Sequence, residues 1–384
     1  MMKKFLSVLL ALTLSVSLFA GCGAPAASSS STAPATSTSQ ESSTPAPTTK
    51  TLKIANVVNG NLGDKSFFDS CEAGLAQLKK DGKIEYKTFE LGATDADQPK
   101  WKSTLDEVSL AGEYDIIICG TWQMNEYLAE IAPNYPDQKY IIYDSAVDAP
   151  NVLSIGYQQN TLGYLVGTAA AMATTSGIDR TNPEKVIGFI GGEDGPVIND
   201  FLIGFIDGAV AADPEIKIDT QYVGNFYDTG AAKELANVMV KTNKCDLVWG
   251  VAGGAGNGAV EAVKDNSGWF IGVDSDQEAT FSISQPELAA VTLFSGLKNI
   301  DKSMIWAVDQ HLAGTAPYGT TVNLGLNEDG VGIATAGNFA KLPDAIKQAV
   351  EKAAADITSG AVKVRTAFGD SAADVKAERE KVRP

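Results

Sequence analysis

Histidine is almost missing: His311 is the only one in 384 residues. That leaves little for His-based metal sites or for a Ser–His catalytic couple. Cysteine is scarce too. Four in a chain of this length make no disulfide framework, and no two stand at Cys-x-x-Cys spacing. Cations are outnumbered, 30 Lys and Arg against 47 Asp and Glu. A formal net charge of −17 excludes the excess of cations that a nucleic-acid partner requires to replace counterions along its phosphates. Apolar runs long enough to span a bilayer, roughly 20 residues, are also missing.

What is present is enough for large cores. Hydrophobic residues make up 44% and charged residues 20%. At about 150 residues per domain the length suits two or three domains. The start of the chain reads as a leader. Lys3 and Lys4 precede an uncharged apolar stretch from Phe5 to Phe19, which ends in Phe19-Ala20-Gly21-Cys22. This resembles the lipobox of bacterial lipoproteins, in which the Cys is lipidated and becomes the mature N-terminus. Residues 1–22 are therefore expected to be a signal segment, with Cys22 as the lipidation site. Residues 23–50 are half Ser and Thr, with Ala and Pro filling most of the rest. Such a segment has nothing to bury and is expected to be a disordered tether, with a reach of about 30 Å as a coil. The remaining cysteines, Cys71, Cys119 and Cys245, each sit in an apolar run and are expected as buried free thiols.

From Thr51 the pattern alternates between strand and helix. Leu52 to Val58 reads as a strand, and Ser66 to Lys80 as a helix with Phe67, Cys71, Leu75 and Leu78 on one face. Tyr114 to Cys119 and Lys139 to Asp144 are nearly all apolar, as strands covered on both faces should be. A second round follows, with strands at Lys185–Ile190, Ile216–Val223, Cys245–Val251 and Trp269–Val273. Repeated βα units with buried strands predict parallel, doubly wound sheets, and two rounds predict two lobes. Residues 51–155 and about 280–318 are assigned to lobe 1, and residues 156–279 and about 319–384 to lobe 2. Tyr318–Leu326 and Val331–Ala334 read as an antiparallel pair turned at Asn327–Gly330. A helix is expected from Lys298 to Leu312 and another from Pro343 to Ile357. The charged last fifteen or so residues are assigned no function.

Open α/β sheets bind ligands beyond the carboxyl ends of their strands, beside helix N-termini. The residues just past each strand are Asn59, Asp64 to Phe67, Thr121 and Trp122, Asp144, Gly191 to Asp194, Trp249 to Gly253, and Asp274. Carboxylates, rings and glycines dominate this set. It contains no cluster of metal ligands and no cysteine beside a histidine. The Gly253–Gly258 run follows a strand but lacks the spacing of a dinucleotide loop, and Asp64 interrupts the phosphate-loop-like Gly63-Asp-Lys-Ser66. Both read as tight turns. Asp144 and Asp274 are open to two readings, helix caps or ligand groups. Phe67 and Trp249 are open to two as well, core or ligand platform. Lys298 at a helix start is unfavourable to the helix dipole, which raises its standing as a ligand group.

Several longer words in the chain occur in one order over about residues 52 to 335. They are Gly63-Asp-Lys-Ser-Phe67, Tyr140-Ile-Ile-Tyr-Asp144, Val186-Ile-Gly-Phe-Ile-Gly-Gly192, Phe201-Leu-Ile-Gly-Phe205, Val251-Ala-Gly-Gly254 and Ile271-Gly-Val-Asp-Ser-Asp-Gln277. In these words the chain resembles the basic membrane protein family of substrate-binding lipoproteins of ABC importers, which includes the purine nucleoside receptors. The resemblance implies a type I periplasmic binding protein, two α/β lobes around a cleft. It implies a purine sandwiched between Phe67 and Trp249, and ribose hydroxyls held by Asp144, Asp274 and Lys298. Asn59, Asp64, Ser66 and Gly253 complete the expected ligand set. Departures are visible. Asn59 stands where the receptors carry an aspartate for the base edge, Ser66-Phe67-Phe68 where they carry Ser-Phe-Asn, and Trp249 where Phe is usual. An amide offers a donor and an acceptor where a carboxylate only accepts, so base choice is expected to change.

The leading expectation is a nucleoside-binding lipoprotein with no catalytic residue, metal or cofactor, acting as a monomer with ABC permease and ATPase subunits on the outer face of a membrane. Riboflavin in the same fold, a surface sensor without transport, and a nucleoside-processing enzyme are the alternatives.

Overall fold

The computed structural model describes residues 51–384. The leader at 1–22, Cys22 and the tether at 23–50 lie outside the described residues. In the first half, β1 (Leu52–Val58), α1 (Phe67–Lys80), β2 (Ile84–Glu90), α2 (Gln98–Ala111), β3 (Ile116–Gly120), α3 (Asn125–Ile131), β4 (Lys139–Tyr143) and β5 (Val152–Tyr157) lead into α4 (Gln159–Thr174). A second round follows with β6 (Val186–Gly191), α5 (Pro196–Ala212), β7 (Lys217–Tyr222), α6 (Thr229–Lys241), β8 (Leu247–Val251), α7 (Gly256–Asp265), β9 (Trp269–Asp274), α8 (Gln277–Ser284), α9 (Pro286–Ala289) and β10 (Thr292–Lys298). The chain closes with α10 (Ile300–Leu312), β11 (Thr320–Leu324), β12 (Val331–Ile333), α11 (Asp344–Thr358) and α12 (Ala372–Val382).

These strands form two six-stranded sheets with matching order, β11-β5-β4-β3-β1-β2 and β12-β10-β9-β8-β6-β7. Central strands are apolar on both faces because helices cover both; β3 and β8 are buried at every residue. Among the described ladders, only β12 runs antiparallel to its neighbour. This is the two-lobe α/β fold expected from the alternating pattern.

Three local expectations are corrected. The segments around Asn327–Gly330 do reverse direction, but they do not pair with each other. β11 joins the first sheet, parallel to β5, and β12 joins the second, beside β10. β10 likewise lies in the second sheet rather than the first. A turn signal reports a reversal only; which edge each arm joins is decided by the sheets already built. Lys298 is the last residue of β10 and does not open a helix; α10 begins at Ile300. α12, not foreseen in the sequence, occupies the charged C-terminal stretch.

The chain passes between the sheets at three places: after β5, after β10, and between β11 and β12. These crossings are tied to the neighbouring strand ends. Gln158 N–H donates to the Leu324 carbonyl at 2.9 Å, and Asn299 N–H to the Gly330 carbonyl at 2.9 Å. In the second lobe α4 and α5 lie nearly backbone to backbone. A Cβ on Gly204 would sit 1.9 Å from the Asn160 carbonyl oxygen, and one on Gly208 2.0 Å from that of Tyr164. No other residue fits this seam.

Candidate functional site

The carboxyl ends of strands from both sheets open onto one cavity of about 570 Å³. Its inner end is charged yet shielded. Lys298, 1% exposed, ends β10 with its Nζ 2.7 Å from Asp144 Oδ1, which lies just past β4 in the other sheet. Three ring faces surround the ammonium, Phe201 at 4.7 Å, Tyr157 at 5.4 Å and Phe67 at 5.7 Å to the centroids. Ring quadrupoles and one carboxylate replace the lost hydration. Asp274, at the end of β9, is also buried and accepts no hydrogen bond from any described side chain or backbone group. Burial pushes its carboxyl up to about 7; Lys298 pulls it down, and Asp144 and Asp64 push it up. Asp144 and Asp274 both sit in the left-handed region, at φ 60° and 64°. Short Asp side chains tolerate that conformation, and it ends both strands at the cavity wall.

The first-lobe wall is built on the turn before α1. Asp64 holds that turn: Oδ2 accepts the Phe68 N–H at 2.8 Å, and Oδ1 accepts those of Ser66 and Asp69, both at 3.1 Å. Its oxygens are thus largely spent on capping the helix. Burial raises its carboxyl to about 6, with the backbone donors opposing. The same turn presents Phe67 to the cavity, tilted 32° against Tyr143. Ser66 is fully buried beneath, with its hydroxyl unpartnered and away from the lining. Asn59 lines the cavity. Its Nδ2 donates to Thr121 Oγ1 at 2.9 Å and Gln123 Oε1 at 3.1 Å, so both donors are used and Oδ1 is left without a partner. Thr121 is held at φ 73°, a strained value for a β-branched residue. The expected donor–acceptor pair at Asn59 is therefore reduced to an acceptor.

The second-lobe wall differs from the expectation. Trp249 does not line the cavity. It sits mid-strand, two residues short of the end of β8, fully buried against Phe189, Phe201 and Phe205, with its indole N–H donating to the Gly272 carbonyl at 3.0 Å. The rings that face the cavity from this lobe are Phe201 of α5 and, just past β7, Phe226 and the more exposed Tyr227. Glycines make room for Phe226: a Cβ on Gly192 would lie 2.3 Å from its ring, and Gly253, at φ 52°, lies beside it. Phe226 was legible by the strand-end rule applied to β7; Phe201, in a helix, was not.

Further contacts join the lobes at the cavity. Besides Lys298–Asp144, Ser275 Oγ donates to the Ser66 carbonyl at 2.9 Å and Asn257 Nδ2 to that of Asp64 at 3.3 Å. Asn59, Asp64, Phe67, Asp144, Gly253, Asp274 and Lys298 are thus brought to one cavity, and Ser66 and Trp249 are not. The charged lining comprises Asp64, Asp95, Asp144, Glu193 and Asp274 against Lys298 alone, and Lys298 is already paired. Among the described residues no group of three or more side chains is arranged to hold a metal ion.

Comparison with known proteins identifies the family. The Bmp family, described as ABC transporter substrate-binding protein PnrA-like, matches residues 51–366. The CD4+ T-cell-stimulating antigen of Listeria monocytogenes is 31% identical over 301 residues, 74% of this chain and 81% of that protein. The ABC transporter nucleoside-binding protein BmpA of Lactococcus lactis is 30% identical over 325 residues, 82% of this chain and 89% of its own. Basic membrane protein A of Borreliella burgdorferi is 29% identical over 314 residues, 80% and 84% of the two chains. A solved ABC transporter solute-binding protein from Aeropyrum pernix shares the fold with a TM-score of 0.72 at 24% identity, covering 86% of this chain and 99% of that one. With a cleft between two doubly wound lobes and a family match over nearly all of the described residues, the chain belongs to the Bmp family of PnrA-like ABC transporter substrate-binding proteins.

Proposed function

We propose that the cavity captures a nucleoside and that the closed protein delivers it to a membrane permease. The observation that carries this reading is the inner end, where a buried Lys298–Asp144 pair stands beside the unpartnered carboxylate of Asp274. Vicinal hydroxyls of a ribose donate well to two carboxylates, and an ammonium donates to a hydroxyl oxygen. Phe67 from one lobe and Phe226 from the other supply π-faces for a flat base, a role Trp249 does not fill. The acidic lining repels a phosphate, which favours a nucleoside over a nucleotide. The Lactococcus lactis relative, an ABC transporter nucleoside-binding protein, supports the same ligand class.

Closure is stabilised when one ligand touches both lobes. Delivery requires permease and ATPase subunits, the ordinary partners of an ABC importer. Cys22 as a lipid anchor would hold a monomeric receptor at the outer face of the membrane; no helix of the described residues is long and apolar enough to cross one. The relatives are substrate-binding proteins rather than enzymes, and this chain is read the same way.

Titration calorimetry with guanosine and adenosine tests the proposal. Saturable heat is expected for the native protein and none for Asp274→Ala; unchanged heat in that variant would overturn it. Chromatography of the same mixtures should show no free base, since released base would make the protein an enzyme.

A further inference from the structure

The end of the chain lies behind the cleft wall. The family match stops at residue 366, and α12 follows it. This helix, Ala-Ala-Asp-Val-Lys-Ala-Glu-Arg-Glu-Lys-Val, buries only Val375 and Val382. So little apolar area fixes a helix weakly. Polar contacts do it instead. Ser371 and Asp374 close a capping box at its start. Just upstream, Arg365 pairs with Asp207 of α5 and, at 3.1 Å, with Glu378 of α12. Thr366 Oγ1 and the Ala367 N–H donate to the buried Asp200 carboxylate at 2.6 and 2.8 Å.

The contacts of Arg379 reach further. Its guanidinium lies 4.9 Å from the Tyr222 ring centre, donates to the Thr220 carbonyl at 3.4 Å and stands 3.8 Å from Asp194 Oδ2. Asp194 belongs to the turn between β6 and α5, whose Glu193 lines the cleft. Asn199 in the first turn of α5 donates to Asp194 Oδ1 at 2.8 Å and accepts the Tyr222 hydroxyl at 2.5 Å. The contacts therefore close a ring: Arg379, Asp194, Asn199, Tyr222 and back to Arg379. Each member is anchored in a different piece of the second-lobe wall. Tyr222 ends β7, four residues before Phe226. Asp194 is next to Glu193. Asn199 follows Val197 and Ile198, which face the cavity with Phe201.

We propose that Arg379 is a positioning residue for the cleft, holding the second-lobe wall in its binding-ready arrangement from the far side through Asp194 and Tyr222. This rests on the cavity being the ligand site, and it holds for any ligand of that cavity. Without the guanidinium, Asp194 loses its cation and Tyr222 its stacking partner. The turn at 192–195, still held by its backbone bonds and by Asn199, then fluctuates more widely in the empty protein, and quenching that motion on binding costs affinity. Lysine cannot replace the planar group that stacks on Tyr222 while pairing with Asp194.

The test uses the full chain with Arg379→Ala, Arg379→Lys and Asp194→Asn. Hydrogen exchange read by mass spectrometry needs no ligand. Amides of residues 192–200 and 222–228 should exchange severalfold faster in Arg379→Ala, while those of residues 116–143 in the first lobe keep their native rates. Guanosine binding should weaken about fivefold, mainly through faster release. Arg379→Lys should recover only part of it, and Arg379→Ala with Asp194→Asn should lose no more than the worse single change. Unchanged exchange at 192–200 would overturn the proposal. So would exchange raised evenly over the whole chain with affinity intact, which marks a helix that only adds stability. Should the native protein bind no guanosine while the local exchange effect is present, the nucleoside reading fails and the positioning role stands.

Discussion

The two ends of the cleft are built on opposite terms. The inner end holds Lys298, Asp144 and Asp274 away from water, two of them on backbone in the left-handed region. The outer end carries Trp122 at 44% exposure, Tyr227 at 42%, and the solvated Asp95. Desolvated charges destabilise the empty protein and are justified by what they bind. Solvated rings and acids cost little and adjust to their neighbour. The inner end is therefore where specificity is fixed before the ligand arrives, and the outer end is where contacts form as the lobes close.

Removing one inner charge should do the most damage. Lys298→Met should abolish nucleoside binding in calorimetry, because it leaves Asp144 buried without its partner, and it should destabilise the fold by about 3–5 kcal/mol. A variant that binds normally would show that the inner end is structural only. Gly204→Val, on the α4-facing side of α5 rather than in the cavity lining, gives the matching comparison for stability: about 3 kcal/mol lost in denaturant unfolding as α4 and α5 are forced apart.

Asp274 separates binding from stability. Its carboxyl is raised from 3.8 to about 7 on folding, so the folded state keeps a proton that the unfolded chain has already released. Stability of the empty protein should then fall as pH rises from about 4 to about 7. Asp274→Asn should melt higher than the native protein at pH 8 and nearly alike at pH 4, while losing nucleoside binding. A bound ribose needs the ionised form, so native affinity should drop below pH 7, by up to about tenfold per unit from this group. A flat pH profile would remove Asp274 from the ribose site. The smallest effect is expected of the latch between lobes: Ser275→Ala should weaken binding about two- to tenfold, one hydrogen bond's worth, read as faster dissociation.

Much of this was legible in the sequence because burial and strand ends leave local marks. The apolar runs at Ile116–Cys119 and Tyr140–Tyr143 gave buried strands, and the residues after them supplied Asp144 and Thr121. Where the reading failed, the deciding information was not local. Trp249 is aromatic and close to a strand end, but it lies two residues deeper than Val251 on the same strand face, where Phe201 and Phe205 cover it. β11 and β12 read as a hairpin because a turn is encoded in four residues and sheet membership is not. In sequence Asn59 offers a donor and an acceptor; only the folded positions of Thr121 and Gln123 show both of its hydrogens taken. The C-terminal helix was passed over since its pattern is charged on most faces, and its partners, Asp194 and Tyr222, lie more than 150 positions upstream.

The three passages between the sheets carry one more consequence. A chain made or exported amino end first offers β1 to β5 early, yet the sheet they form lacks its last strand until Thr320–Leu324 has emerged. The half that leaves first is thus completed late, after all of the second sheet but its short antiparallel edge. The amino-terminal half therefore reaches its full set of strand pairs only once most of the carboxyl-terminal half is available.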